Sequence, residues 1–204
     1  SPVSPLEQKP SARSIALAVL VKSAQSDDPI DEVLERACTP IGHDARERAL
    51  TVELVYGVLR HQGTIDWRLG PVVDKPMRKL PGLIQMLLRM TVYQLMYLDR
   101  IPHSAAVNES VRLAKDNVSV LGRDWSGFVN AVLRTLLRNP VAPWPSIIDD
   151  PARSLSVRYS VPEWLSRRWI QRLGPDAAGI ACAHSVTIPP VTIRVNRLKA
   201  TRDE

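Results

Sequence analysis

The sequence predicts an all-α fold, a helical bundle followed by a small helical connector and the first strand of a further, truncated domain. Three observations carry this. Apolar residues recur at helical rather than strand spacing through most of residues 11–138. One stretch, PGLIQMLLRMTVYQLMYL at 81–98, is apolar in nearly every direction, as a helix surrounded by others is. Prolines and glycines stand at the ends of these segments, where helices start and stop. A chain of 204 residues has room for one core of substantial size and a smaller appendage. The expected organisation is a flexible start at 1–10, a helical bundle at 11–138, a Pro-rich linker at 139–150, and a connector leading into another domain at 151–204.

Each element has a local reason. Ser11 offers a cap for a short helix in SARSIALAVLVKSA, and a weaker helix is expected in IDEVLERA. RERALTVELVYGVLRH is a clearer one. At about 100° per residue, Ala49, Val52, Val55, Tyr56 and Leu59 share a face, with Arg46, Glu47, Leu50, Glu53 and Arg60 mostly opposite. In the central apolar helix only Gln85, Arg89, Thr91 and Gln94 interrupt the run, between Pro81 and Pro102. The next helix begins around Ser104, where Pro102 restricts the entry and Ser104 can cap a free backbone donor. Val107, Val111, Ala114 and Val118 set its apolar face, and Asn108, Glu109, Arg112, Lys115 and Asp116 gather on another.

A further helix is expected in GRDWSGFVNAVLRTLLRN, with Trp125, Phe128, Val129, Val132 and Leu136 facing the core. Opposite them Arg123, Gly127, Asn130, Arg134 and Arg138 follow at intervals of 4, 3, 4 and 4. PVAPWP, three prolines in six residues, reads as a linker. Short helices follow in PARSLSVRY, PEWLSRRWIQRLG and PDAAGIACAHS, and the β-branched VTIRV at 191–195 suits a strand.

Composition narrows the chemistry. Lys and Arg number 27 against 21 Asp and Glu, a surplus of +6 that suits a polyanion without requiring one. Cys38 and Cys182 lie in unrelated contexts, which argues against a disulfide framework or a cysteine metal site. No apolar run reaches the roughly 18 residues of a transmembrane helix and no secretory pattern opens the chain, so no membrane association is expected and a cytoplasmic location is the default. His43, His61, His103 and His184 lack metal-ligand spacing, and no glycine-rich loop joins a strand to a helix. No catalytic, cofactor or metal residue is therefore assigned.

RNA contact needs an exposed basic surface. Arg123, Arg134 and Arg138 are expected to offer phosphate donors, with Asn130 reaching a sugar or base; a solvated face and a protein contact are the competing readings. Arg46, Arg48 and Arg60 extend that surface if the fold gathers them. Arg13, near the flexible start, is expected to approach RNA independently. A second basic cluster in RRWIQR sets Arg167, Arg168 and Arg172 beside Trp169, either as a nucleic-acid edge or as ordinary packing.

LVYGVLRH at 54–61, LRMTVYQLMYLDRIPHSAAVNESVRLAK at 88–115 and FVNAVLR at 128–134 together resemble the NusB-like amino-terminal domain of the RsmB/Sun family, 16S ribosomal RNA cytosine methyltransferases. LSVRYSVPEWLSRRWIQRLG and PPVTIRVNRLKATR resemble the same family, where a linker leads into the methyltransferase region. The shared landmarks are Tyr56, Gly57, Arg60, Pro102, His103, Asn108, Glu109, Asn130 and Arg134. The resemblance implies a helical module that binds ribosomal RNA beside a separate Rossmann-like domain using S-adenosylmethionine. Family chemistry uses a cysteine to attack cytosine C6 before methyl transfer to C5. The Pro-Cys and Thr-Cys-Ser motifs of that chemistry are missing here. The expectation is an RNA-binding front portion, inactive alone and holding no cofactor, of a parent that uses S-adenosylmethionine. The alternative is a NusB-like module that docks a catalytic or transcription partner and has little RNA affinity of its own.

Overall fold

A computed structural model describes residues 10–39, 42 and 44–189 of the chain. Among these residues there are ten α-helices and no strand. The strand expected at 191–195, and all but Pro10 of the flexible start expected at 1–10, lie outside the described residues.

The helices are α1 (Ala12–Ser23), α2 (Ile30–Cys38), α3 (Ala45–Leu69), α4 (Gly82–Tyr97), α5 (His103–Asp116), α6 (Val118–Leu121), α7 (Ser126–Arg138), α8 (Pro151–Tyr159), α9 (Glu163–Leu173) and α10 (Pro175–Ser185). α4 is the axis of the bundle: α1, α3, α5 and α7 all pack on it, and α5 and α7 pack on each other. Every residue from Met86 to Gln94 is buried, as a helix apolar in nearly every direction requires. Side chains such as Leu87 and Leu88, both 0% exposed, each contribute at most about 1.5–3 kcal/mol of transfer free energy.

The polar residues of α4 are buried with partners, as groups removed from water must be. Arg89 forks onto Asp66, with Nε 2.8 Å from Oδ1 and Nη2 2.9 Å from Oδ2. Thr91 donates to the Leu87 carbonyl at 2.8 Å and meets the hydroxyl of Ser110 on α5. Gln94 donates to Met90 and accepts from Arg13. These bonds fix the rotation of α4 against α3, α5 and α1, which uniform apolar burial alone leaves open.

Two sequence expectations are corrected here. On α3 the buried positions are Thr51, Leu54, Val55, Gly57, Val58, Thr64, Ile65 and Leu69; of the expected face only Val55 is buried, while Ala49 and Leu59 are exposed. The core side is set by where Gly57 admits α4, since a Cβ there would collide with the ring of Tyr93. On α5 the helix is entered directly from Pro102 with no side-chain cap, so Ser104 does not cap it; the fixed φ of proline suffices.

α3 runs on past its expected end at residue 61 and is kinked at His61, whose backbone (φ −111°, ψ 15°) leaves the helical region. The kink frees the N–H of Thr64, which donates to Ser160 Oγ at 2.9 Å. Thr64 Oγ1 donates to the Val157 carbonyl at 2.7 Å. Gly63 allows this approach, because a Cβ there would lie 3.2 Å from Ser160 Cα. Ser160, at φ +52°, ends α8 in the left-handed conformation. α8, α9 and α10 then enclose a second small core of Leu155, Val161, Ala178 and Cys182.

Candidate nucleic-acid interface

α7 presents the expected two faces. Val129, Val132 and Leu133 are buried, with Trp125, Phe128 and Leu136 packed beside them. Arg123, Gly127, Asn130, Arg134 and Arg138 are all exposed. The guanidinium of Arg123 lies 3.9 Å from the Trp125 ring centroid, which orients it without neutralising it. Arg134 Nε reaches Asn130 Oδ1 at a long 3.4 Å. Among the described residues none of these three arginines has a carboxylate within ion-pair distance. Asp124 is occupied at the helix entry, where bonds from Ser126 hold its carboxyl below its ordinary value.

The other candidates fall elsewhere. Arg13 is not independent: it sits on α1, and its Nε donates to Gln94 Oε1 at 2.7 Å. Glu47 ties the start of α1 to the first turn of α3 by accepting from the Ala12 N–H at 2.8 Å, which brings exposed Arg46 to the same end of the bundle as Arg13. Arg60 is half-buried on α3 beside His61. On α9, Arg167 pairs with Glu163 at 2.7 Å, whereas Arg168 is exposed and has no such partner among the described residues. Trp169 packs on the small core and Trp164 is 64% exposed, so the two tryptophans form no joint platform.

Sequence reasoning missed an aromatic cluster between α3 and α4. The rings of His61 and Tyr97 stack at 4.3 Å between centroids and 24° between planes, and Tyr93 lies 5.1 Å from Tyr97 at 28°. Tyr93 donates to Glu53. Burial, then the charge of Arg60, holds the His61 imidazole below its ordinary value, while Glu53 opposes this. Burial raises the Tyr97 phenol, and burial followed by the Glu53 bond raises that of Tyr93. Arg68 is missed too; it donates to the Ala142 carbonyl at 2.8 Å and lies 4.2 Å from the Trp144 ring centroid, holding the linker against α3. The available signals were Tyr93 and Tyr97 at i and i+4, and Arg68 directly after Trp67.

The landmarks of the resemblance divide between packing and surface. Tyr56 donates to Asp31 and Gly57 admits Tyr93, so both hold the bundle together. Asn108 is exposed. Glu109 is held by Arg112, at 2.6 Å, and its carboxyl is kept below the ordinary range chiefly by that bond. No group of acids, histidines and cysteines suited to a metal ion occurs among the described residues. They do not fit S-adenosylmethionine either: they are helices and turns, and the glycines at positive φ, Gly42, Gly122 and Gly174, open onto empty space rather than framing a cradle. No described helix is long and apolar enough to cross a membrane.

A central helix buried from Met86 to Gln94 and wrapped by amphipathic neighbours, with a basic stripe outside, defines an all-α bundle of the NusB type. The chain belongs to the NusB family, whose sequence profile matches residues 10–138. Residues 161–204 match a second profile, described as an RsmF/B-like methyltransferase ferredoxin-like domain. Among curated relatives, a probable ribosomal RNA small subunit methyltransferase B of Bacillus subtilis is 37% identical over 97% of this chain and 43% of its own length. One of the same name from Synechocystis is 34% identical over 95% of this chain and 43% of its own. A ribosomal RNA small subunit methyltransferase B of Pseudomonas putida is 32% identical over 94% and 40%. The chain thus spans about two fifths of the length of these relatives, and the resemblance carried by the motifs at 54–61, 88–115 and 128–134 is borne out.

Proposed function

We propose that this chain is the RNA-handling portion of a methyltransferase that modifies cytosine C5 in small-subunit ribosomal RNA. S-adenosylmethionine would be bound by residues other than those described. The observation that carries this reading is the stripe of Arg123, Asn130, Arg134 and Arg138, exposed and without an ion-pair partner among the described residues, on a helix whose other face is core. Guanidinium groups spaced along one helix face suit successive phosphates, and a planar amide among them suits a sugar or base edge. Arg13, Arg46, Arg60, Arg167 and Arg168 are secondary candidates. The alternative, docking of a protein through Asn108 and Glu109, is less well supported because Glu109 is already engaged by Arg112.

The test is a binding titration of the 204-residue chain with a ribosomal RNA fragment across a salt series. Affinity should fall as salt rises, with a slope of about 0.7–0.9 per phosphate neutralised. Replacing Arg123, Arg134 and Arg138 with Gln should flatten that slope. A folded chain that binds no RNA at low salt would refute the proposal.

A further inference from the structure

We propose that His61 and Tyr97 form a stacking site for one unpaired base of the RNA, with Arg60 and Arg68 taking the flanking phosphates. This rests on the RNA-handling reading above and names what part of the RNA the bundle would recognise. Tyr97 closes the most buried helix of the protein, yet it is 36% exposed. Its ring is already held nearly parallel to His61 and Tyr93, so a base arriving there would meet an aromatic surface whose ordering entropy has been spent in folding. Aromatic stacking accepts any base, because each presents a π-face, and it requires that base to be out of a duplex.

The surrounding charge selects the ligand. Arg60 is next to His61 in the chain and makes no ion pair among the described residues. Arg68 spends one N–H on the Ala142 carbonyl and makes no ion pair among the described residues. Glu53, the carboxylate bonded within the cluster, is occupied by the Tyr93 hydroxyl. A protein partner seeking an apolar patch would have to desolvate two cations here, whereas a nucleotide supplies the phosphates they need.

The site also continues the α7 stripe. An apolar groove of about 430 Å³ runs between α4, α7 and the linker. Its lining includes Arg68, Met96 beside Tyr97, and Leu137 beside Arg138. A strand whose phosphates follow α7 towards Arg138 would run along this groove to Arg68, on the helix that carries His61.

The experiment compares an unpaired oligoribonucleotide with a duplex of the same sequence, bound to the wild-type chain and to Tyr97→Leu, Tyr97→Phe and Arg60→Gln. Leu keeps the apolar contact and removes the flat π-surface. Tyr97→Leu should weaken single-strand binding about five- to hundred-fold with an unchanged salt slope. Duplex affinity should stay the same, and Tyr97→Phe should bind like wild type. Arg60→Gln should lower the slope by about 0.7. Thermal unfolding of each variant separates lost binding from lost structure; should Tyr97→Leu unfold, Tyr97→Phe and Arg60→Gln still decide. Wild-type RNA binding with no single-strand preference, or with no response to Tyr97→Leu in a folded chain, overturns the stacking site and leaves the RNA-handling reading intact. Absence of any RNA binding by the folded wild type overturns both.

Discussion

The N–H of Thr64 donates to the hydroxyl of Ser160, 96 positions away, across 2.9 Å. The bond exists because α3 breaks its helical geometry at His61, three residues earlier. A regular helix would give that N–H to the Arg60 carbonyl. The kink therefore converts an internal bond of the bundle into the joint that holds α8, and through α8 the small core of α9 and α10.

Thr64→Val keeps the shape of this buried side chain and removes its donor. The Val157 carbonyl loses a bond at 2.7 Å, and the part-buried acceptors facing Thr64 are left without that donor. A destabilisation of about 1–3 kcal/mol is expected. Hydrogen exchange should rise in α8 to α10 more than in α4. Equal protection in the two regions would show that the joint does not carry the connector.

Gly57→Ala should destabilise the chain although alanine is the better helix former by about 1 kcal/mol. The added methyl meets the Tyr93 ring, which is pinned by its bond to Glu53 and by its stack on Tyr97. Overpacking of this kind costs about 1–3 kcal/mol. A melting temperature at or above that of wild type would contradict the close approach.

Asp66→Asn leaves the guanidinium of Arg89, 8% exposed, without its counter-charge. Removing one partner of a buried pair costs about 3–5 kcal/mol. The lower end is expected here, since Asp66 is a third exposed. Asp66→Asn with Arg89→Met should recover much of the loss in urea unfolding. Two additive losses would mean that the pair is not coupled.

How much of this was legible in sequence depends on the kind of signal. α4 was readable because burial on all sides leaves no phase to mistake, and α7 because its apolar and basic residues repeat in step. α3 was not, because Leu and Val occur around much of its circumference and the deciding residue, Gly57, acts by lacking a side chain. The Thr64–Ser160 joint depends on a backbone kink that no spacing announces. For the interface, exposure of the α7 arginines followed from the pattern, while the tethering of Arg13 to Gln94 needed the tertiary fold.

His61 predicts an acid-sensitive bundle. Its imidazole lies below the ordinary 6.5 in the folded chain, first through burial and then through Arg60. The unfolded chain therefore binds the proton more readily. Its contribution to stability is full above about 6.5 and is lost as pH falls through the folded value. Melting temperature should drop as pH falls below about 6.5, and His61→Gln should flatten that part of the profile. A profile unchanged by the substitution would place the sensitivity on the carboxylates.

Arg167 and Arg168 test whether the connector touches RNA at all. They are neighbours on α9, equally placed by sequence, but Glu163 holds Arg167 at 2.7 Å while Arg168 has no such partner among the described residues. An exposed pair of this kind contributes only about 0–1 kcal/mol to stability, so both substitutions should leave folding intact. Engaging a phosphate, however, requires Arg167 to give up Glu163, and Arg168 gives up only water. Arg168→Gln should then weaken RNA binding more than Arg167→Gln, and Glu163→Gln should strengthen it by releasing Arg167. If all three leave affinity and salt slope unchanged while Arg134→Gln lowers them, the RNA surface ends on the bundle and α9 is outside it.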